Sequence, residues 1–222
     1  MTPRAVTIAA DDAALAGDLV LARAARGLVL FAHGSGSSRL SPRNRYVAGV
    51  LNEDGLATLL FDLLTPDEDT ERAARFDIAL LARRLLAACR WAQRDATLRT
   101  LPIGLFGAST GAAAALIAAA ELGRAVHAVV SRGGRPDLAP PDALARVRAP
   151  TRLVVGEWDR EVLALNRGAA RQLRCEHDLV IVPGATHLFE EADTLEQAAF
   201  AARDWFVRHL PASAATTSSS ST

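Results

Sequence analysis

The chain has 222 residues, half of them hydrophobic, with 25 basic and 25 acidic side chains and a formal net charge of zero. That length suits one sizeable core rather than two ordinary domains, and the balanced charge gives no reason to expect a nucleic acid or an acidic membrane surface as partner. All the basic residues are arginine, so the sequence excludes Ser-Lys dyads, Schiff-base chemistry and the lysine of a phosphate-binding loop.

Residues 5–10 and 15–22 read as two short strands about an Asp11-Asp12 turn, an antiparallel hairpin at a sheet edge. The start of the chain lacks the pattern of a signal peptide, and no apolar run approaches the roughly 18 residues of a membrane span. A cytoplasmic location is therefore expected, with Cys89 and Cys175, far apart and without metal-ligand spacing, as reduced packing residues. Residues 27–32 form the first fully buried strand, which runs into His33-Gly34-Ser35-Gly36-Ser37-Ser38. Ser41-Pro42 opens a helix through about Asn52, with Ser37 and Ser38 as candidate caps. A buried strand over 56–61 and an acidic loop over 65–69 follow. One long amphipathic helix is predicted over 72–94, with Ile78, Leu81, Leu85 and Ala88 at helical spacing.

The next segment carries the strongest signal. Residues 102–107 are an apolar run of the kind that makes a buried parallel strand, and 110–122 are alanine-rich and helical. Between them lies Gly107-Ala108-Ser109-Thr110-Gly111, a G-x-S-x-G. A serine on such a strand-to-helix turn is held in a strained conformation that exposes its hydroxyl at the top of the sheet. Further strands are predicted over 126–131 and 151–155, with one short helix near 141–147 between them. A helix over 160–173, a last strand over 179–183 and a final helix over 194–210 complete the pattern. Strands alternating with helices imply an α/β fold, a mostly parallel central sheet with helices on both faces. Residues 1–210 are expected to form a single domain, and 211–222, small and polar, a disordered tail.

Functional loops of such sheets gather beyond the carboxyl ends of the strands. A serine nucleophile needs an adjacent base, and His187, in the loop after the last strand, is the candidate. His127 falls inside a strand and reads as a core residue, while His177 and His209 lie on polar segments and read as solvated. A carboxylate should fix the tautomer of the base. Asp159 fits best by position and Glu157 is the rival; Asp137 and Asp178 read as surface charges. The order Ser, Asp, His is that of an α/β-hydrolase. An oxyanion hole would draw on the Thr110 amide and on the turn after the first buried strand through the Ser35 amide, with His33 orienting that loop. Arg39, Arg43, Arg132 and Arg135 either line the rim and favour an anionic substrate or are solvated.

The segments 33–39, 41–44, 60–65, 107–111, 131–134 and 183–189 together resemble a small α/β-hydrolase of the dienelactone hydrolase-like group, and the likeness extends over about residues 5–210. The resemblance implies a Ser109-Asp159-His187 triad that hydrolyses a carboxylic ester or lactone, with no cofactor or metal. Two departures stand out. Dienelactone hydrolases proper carry cysteine where Ser109 stands, and Glu157 replaces a common second glycine in the acid loop. Similar sequences also occur joined to a phosphoribosyltransferase-like domain. The same triad could serve a thioesterase or acyltransferase, and a binding module could keep the fold without turnover. A metal site on His187, Glu190 and Glu191 lacks a second histidine. Finally, residues 132–150 hold Gly133, Gly134 and four prolines (Pro136, Pro140, Pro141 and Pro150), too little helix for a substantial lid. The site should be open, walled by 64–69 and 188–191.

Overall fold

Strand β3 (Leu28–Ala32) shows why the sheet is covered on both sides: all five residues are buried, and they alternate between two cores. Leu28, Leu30 and Ala32 enter the larger apolar cluster, while Val29 and Phe31 enter the other. A strand with no polar face must be central. The structure, a computed structural model of the chain, describes residues 2–10, 13–22 and 24–210. Both the Asp11-Asp12 turn and the tail expected at 211–222 lie outside the described residues.

The eight strands form one sheet in the order β1-β2-β4-β3-β5-β6-β7-β8. β1 (Arg4–Ala10) and β2 (Ala13–Val20) pair antiparallel, and β2 joins β4 (Ala57–Phe61) antiparallel. The rest is parallel: β3, β4, β5 (Ile103–Ala108), β6 (Val126–Arg132), β7 (Thr151–Gly156) and β8 (His177–Val182). Helices α1 (Pro42–Glu53) and α7 (Thr194–His209) cover one face, where Val47, Leu51, Trp205 and Phe206 meet Phe31 and Phe106. Helices α3 (Ile78–Arg94) and α4 (Thr110–Leu122) cover the other. β3 leads outward to β4, and the chain then returns to place β5 on the other side of β3. That reversal opens a crevice above the carboxyl ends of β3 and β5. No helix among the described residues is long and apolar enough to cross a membrane.

The structure corrects several expectations. The helix foreseen over 72–94 is two helices, α2 (Arg72–Phe76) and α3, because the Asp77 carboxylate accepts from the Leu80 amide at 2.9 Å and caps the second. α2 buries none of its residues, and Phe76 is exposed. The cap of α1 is Ser41, whose Oγ accepts from the Asn44 amide at 3.3 Å, rather than Ser37 or Ser38. His127 is exposed, not packed: Val126 and Ala128 pair with the adjacent residues Ile103 and Gly104, leaving His127 as the extra residue of a bulge. His209 is covered, not solvated, with its ring 4.4 Å from that of Trp205.

Between β6 and β7 the chain makes only a turn of 3-10 helix at Pro136–Leu138 and the six-residue α5 (Pro141–Arg146). α5 packs beside α4 through Ala143 and Leu144 and forms no layer over the strand ends. α6 (Arg160–Ala170) then precedes β8.

Candidate active site

Ser109 sits between β5 and α4 with φ 50° and ψ −122°, a conformation that side chains other than glycine rarely adopt. The glycines on either side make this turn possible. A Cβ on Gly107 would lie 2.4 Å from Ala112 Cα, and one on Gly111 would lie 2.2 Å from the Ala32 carbonyl oxygen. Only a chain without side chains there lets β5, α4 and the end of β3 meet so closely. The alanine run in α4 serves the same end, since Ala112 to Ala115 are fully buried against the sheet.

A cleft of about 280 Å³ opens beside this turn, lined by Ser109 and His187 together with Gly34, Ser35, Ser37, Ser41, Arg43, Asn44, Ala108, Arg132, Gly133 and Leu188. His187 reaches it from the loop after β8. Its Nδ1 lies 2.6 Å from Asp159 Oδ2, and Asp159 is the residue just before α6, after β7. The Asp159 side chain is only 13% exposed, so the imidazole meets its carboxylate largely away from water. The rival Glu157 points elsewhere: its Oε2 accepts from the Gly184 amide at 2.9 Å. It braces the histidine loop instead of touching the ring. Glu191 braces the same loop from the other end, accepting from the Thr186 amide at 3.0 Å and the Thr186 hydroxyl at 2.6 Å. These bonds hold the Glu191 carboxyl below its ordinary pKa. Glu190 pairs with Arg43. Both glutamates thus meet partners other than His187, and no metal-holding group of three or more His, Cys, Asp or Glu occurs among the described residues.

The two oxyanion candidates differ in state. The Thr110 amide is the first N–H of α4, where a helix supplies no acceptor of its own. The Ser35 amide is engaged, donating to Thr110 Oγ1 at 2.9 Å. It is therefore not a free donor in this structure.

His33 holds the loop after β3. Its Nε2 accepts from the Leu63 amide at 3.0 Å, and Nδ1–H donates to the Gly34 carbonyl at 2.9 Å, the neutral tautomer. Burial pushes its pKa below the ordinary value of 6.5. A depressed histidine pKa means that the unfolded chain binds the proton more readily, so stability is full above the unfolded value and declines as pH falls through and below it. We expect Tm to drop as pH is lowered from about 7.5 to 5.5, with a shallower drop in His33→Gln. His209, also depressed by burial, contributes with the same sign in both proteins. Parallel slopes in a scanning calorimeter would remove His33 from this account.

The four arginines separate clearly. Arg39 pairs with Asp62 at 2.5 Å and Arg135 with Asp137 at 2.7 Å, both away from the cleft lining. Arg43 and Arg132 line it. Arg132 is 8% exposed, and burial, with the nearby charge of Arg43, pushes its pKa down to about 10. It therefore remains charged at neutral pH. Sequence reasoning named Arg132 only as one of four arginines and gave Asn44 no role, although both fall within segments that carry the family resemblance. Residues 64–66 and 69 line a smaller neighbouring cavity with His33 and Asp62 rather than this cleft, so of the two expected walls only that at Leu188 is present. Cys89 is buried, its thiol pushed up to about 12, and both cysteines are unpaired.

No protein-family model matches the chain. Among solved structures it is similar to a dienelactone hydrolase from Anabaena variabilis, at 52% identity and a TM-score of 0.90, over 94% of this chain and 99% of that one. It is also similar to a Xanthomonas campestris α/β serine hydrolase described as lacking a lid, at 21% identity and a TM-score of 0.78, over 96% and 97% of the two chains. At that identity the likeness concerns the fold alone. A curated Mycobacterium tuberculosis protein named "Putative phosphoribosyl transferase" is 56% identical over 205 residues, which are 92% of this chain and 46% of that protein. The chain thus spans about half the length of that relative.

Proposed function

The chain belongs to the dienelactone hydrolase-like family of α/β-hydrolases, and from that premise we propose that it is a serine hydrolase cleaving a small carboxylic ester or lactone through an acyl-enzyme. The observation that supports this most is the 2.6 Å contact between His187 Nδ1 and Asp159 Oδ2 at a cleft that Ser109 also lines. Ser109 Oγ attacks the carbonyl carbon while His187 Nε2 takes the hydroxyl proton, and Asp159 steadies the imidazolium that forms. The Thr110 amide and the positive end of α4 face the charge that develops on the carbonyl oxygen. The Ser35 amide would join them once the Thr110 side chain turns aside. Collapse of the tetrahedral intermediate breaks the bond to the alkoxy oxygen, which leaves with the proton from His187. Water then attacks the acyl-enzyme, giving a proton to His187, and collapse of the second tetrahedral intermediate breaks the bond to Ser109 Oγ, which takes that proton back from His187 as the acid leaves. A fluorophosphonate probe tests the reading directly. Labelling at Ser109 is expected, and a folded protein that resists the probe would count against an activated serine.

Substrate size follows from the absence of a covering layer among the described residues. Each acyl methylene contributes about 0.8 kcal/mol only when fully buried, and a polar cleft walled by loops buries few. We expect kcat/KM for p-nitrophenyl esters to be highest from acetate to butyrate and to fall with longer chains. A rise through octanoate would require a deep acyl channel.

A further inference from the structure

The cleft borders a buried cation that lacks a counter-ion among the described residues. Arg132 Nη2 donates to the neutral carboxamide oxygen of Asn44 at 3.2 Å, and Nη1 has no acceptor among the described residues. The Phe106 and Phe189 rings lie 5.7 and 5.9 Å from its guanidinium carbon and exclude water from its flanks. Buried charges are ordinarily paired, because an unpaired one forfeits its hydration with nothing in return. No aspartate or glutamate is among the residues that line the cleft, and the other arginine there is Arg43, of the same sign. Arg43 reaches Glu190 at 3.1 Å, but that pair is 36% and 63% exposed, the kind worth little in water. Arg43 is therefore available to a ligand. Ser37 and Ser41 add hydroxyls to the lining. Ser41 Oγ accepts from the Asn44 amide and keeps its own hydrogen to donate, and the Ser37 hydroxyl makes no hydrogen bond among the described residues.

Building on the serine-hydrolase reading above, we infer that the cleft takes an ester that also carries a phosphoryl group, seated between Arg132 and Arg43 with Ser37 and Ser41 as further donors. A carboxylate offers two oxygens and one negative charge. A phosphomonoester offers three terminal oxygens and a charge near −2, which matches two guanidinium groups and leaves acceptors for the hydroxyls. The phosphoryl group is recognised and not cleaved; the bond broken is the carboxylic ester at Ser109.

Two measurements on the full chain test this. Inorganic phosphate, titrated calorimetrically at constant ionic strength, is expected to bind saturably. Its Kd should rise by at least about tenfold in Arg43→Gln, as losing one charge-assisted contact implies. Binding should be lost in Arg132→Met. Because Arg132 is buried, the Arg43 variant keeps the test decisive should Arg132→Met lose its fold. In the second measurement, the acetate ester of glycerol 3-phosphate should exceed the acetate ester of glycerol in kcat/KM by at least about tenfold, and Arg43→Gln should shrink that ratio. Absence of phosphate binding, equal binding in Arg43→Gln, or acetate binding as tightly as phosphate would overturn the inference. If neither ester were cleaved and the fluorophosphonate failed to label, the hydrolase reading would fall, while the phosphate titration would still judge the subsite.

Discussion

Replacing Ser109 by alanine is expected to lower ester hydrolysis by on the order of a millionfold, the usual loss when a serine hydrolase is deprived of its nucleophile. Alanine has no oxygen to form the acyl-enzyme, and a water in its place would have to be activated without the strained turn that presents Ser109 Oγ. The fold should survive. Ser109 makes no side-chain capping bond to α4, and alanine meets the same cost at φ 50° as serine does. Comparable circular dichroism with vanishing p-nitrophenyl acetate turnover is the expected pair of results. A purified variant that kept more than a small fraction of activity would mean that Ser109 is a bystander on a glycine-rich turn.

The second large effect concerns the acid. Asp159→Asn should cost about ten thousandfold, because asparagine keeps the shape but stabilises the wrong histidine tautomer and cannot support the imidazolium. Glu157→Gln should cost little. Glu157 is exposed, and a glutamine oxygen can still accept from the Gly184 amide. The two variants thus share a loop but differ in what their carboxylates touch. Similar losses in both would shift the acid role to Glu157 or make both merely braces of the histidine loop.

Much of this molecule is written locally. The apolar runs that became β3, β4 and β5 are recognisable because a strand buried on both faces is almost wholly apolar; the one polar side chain in them, Thr58, is paired with Asn52. The glycines of 107–111 announce the turn because only they permit the approach of β5, α4 and β3. The positions of Ser109, Asp159 and His187 after β5, β7 and β8 follow from the same alternation. Boundaries set by one side chain were harder: the apolar period runs across Asp77, and the cap that splits the helix shows only as a bond from its carboxylate to Leu80.

What tertiary structure alone decided depends on residues far apart in the chain. Asp159 and Glu157 are two residues apart and chemically alike, and only the docking of the 183–191 loop sends one to His187 and the other to Gly184. Whether the Ser35 amide is free depends on Thr110, 75 residues away. His127 and His209 exchanged their expected environments because a bulge exposes one and Trp205 covers the other. Arg132 looked like any other arginine until Phe106, Phe189 and Asn44 closed around it. Local sequence sets backbone conformation through sterics and hydrogen bonding between near neighbours. The dielectric environment and partner of a charge are set by which distant segments pack against it, and those are properties of the folded chain.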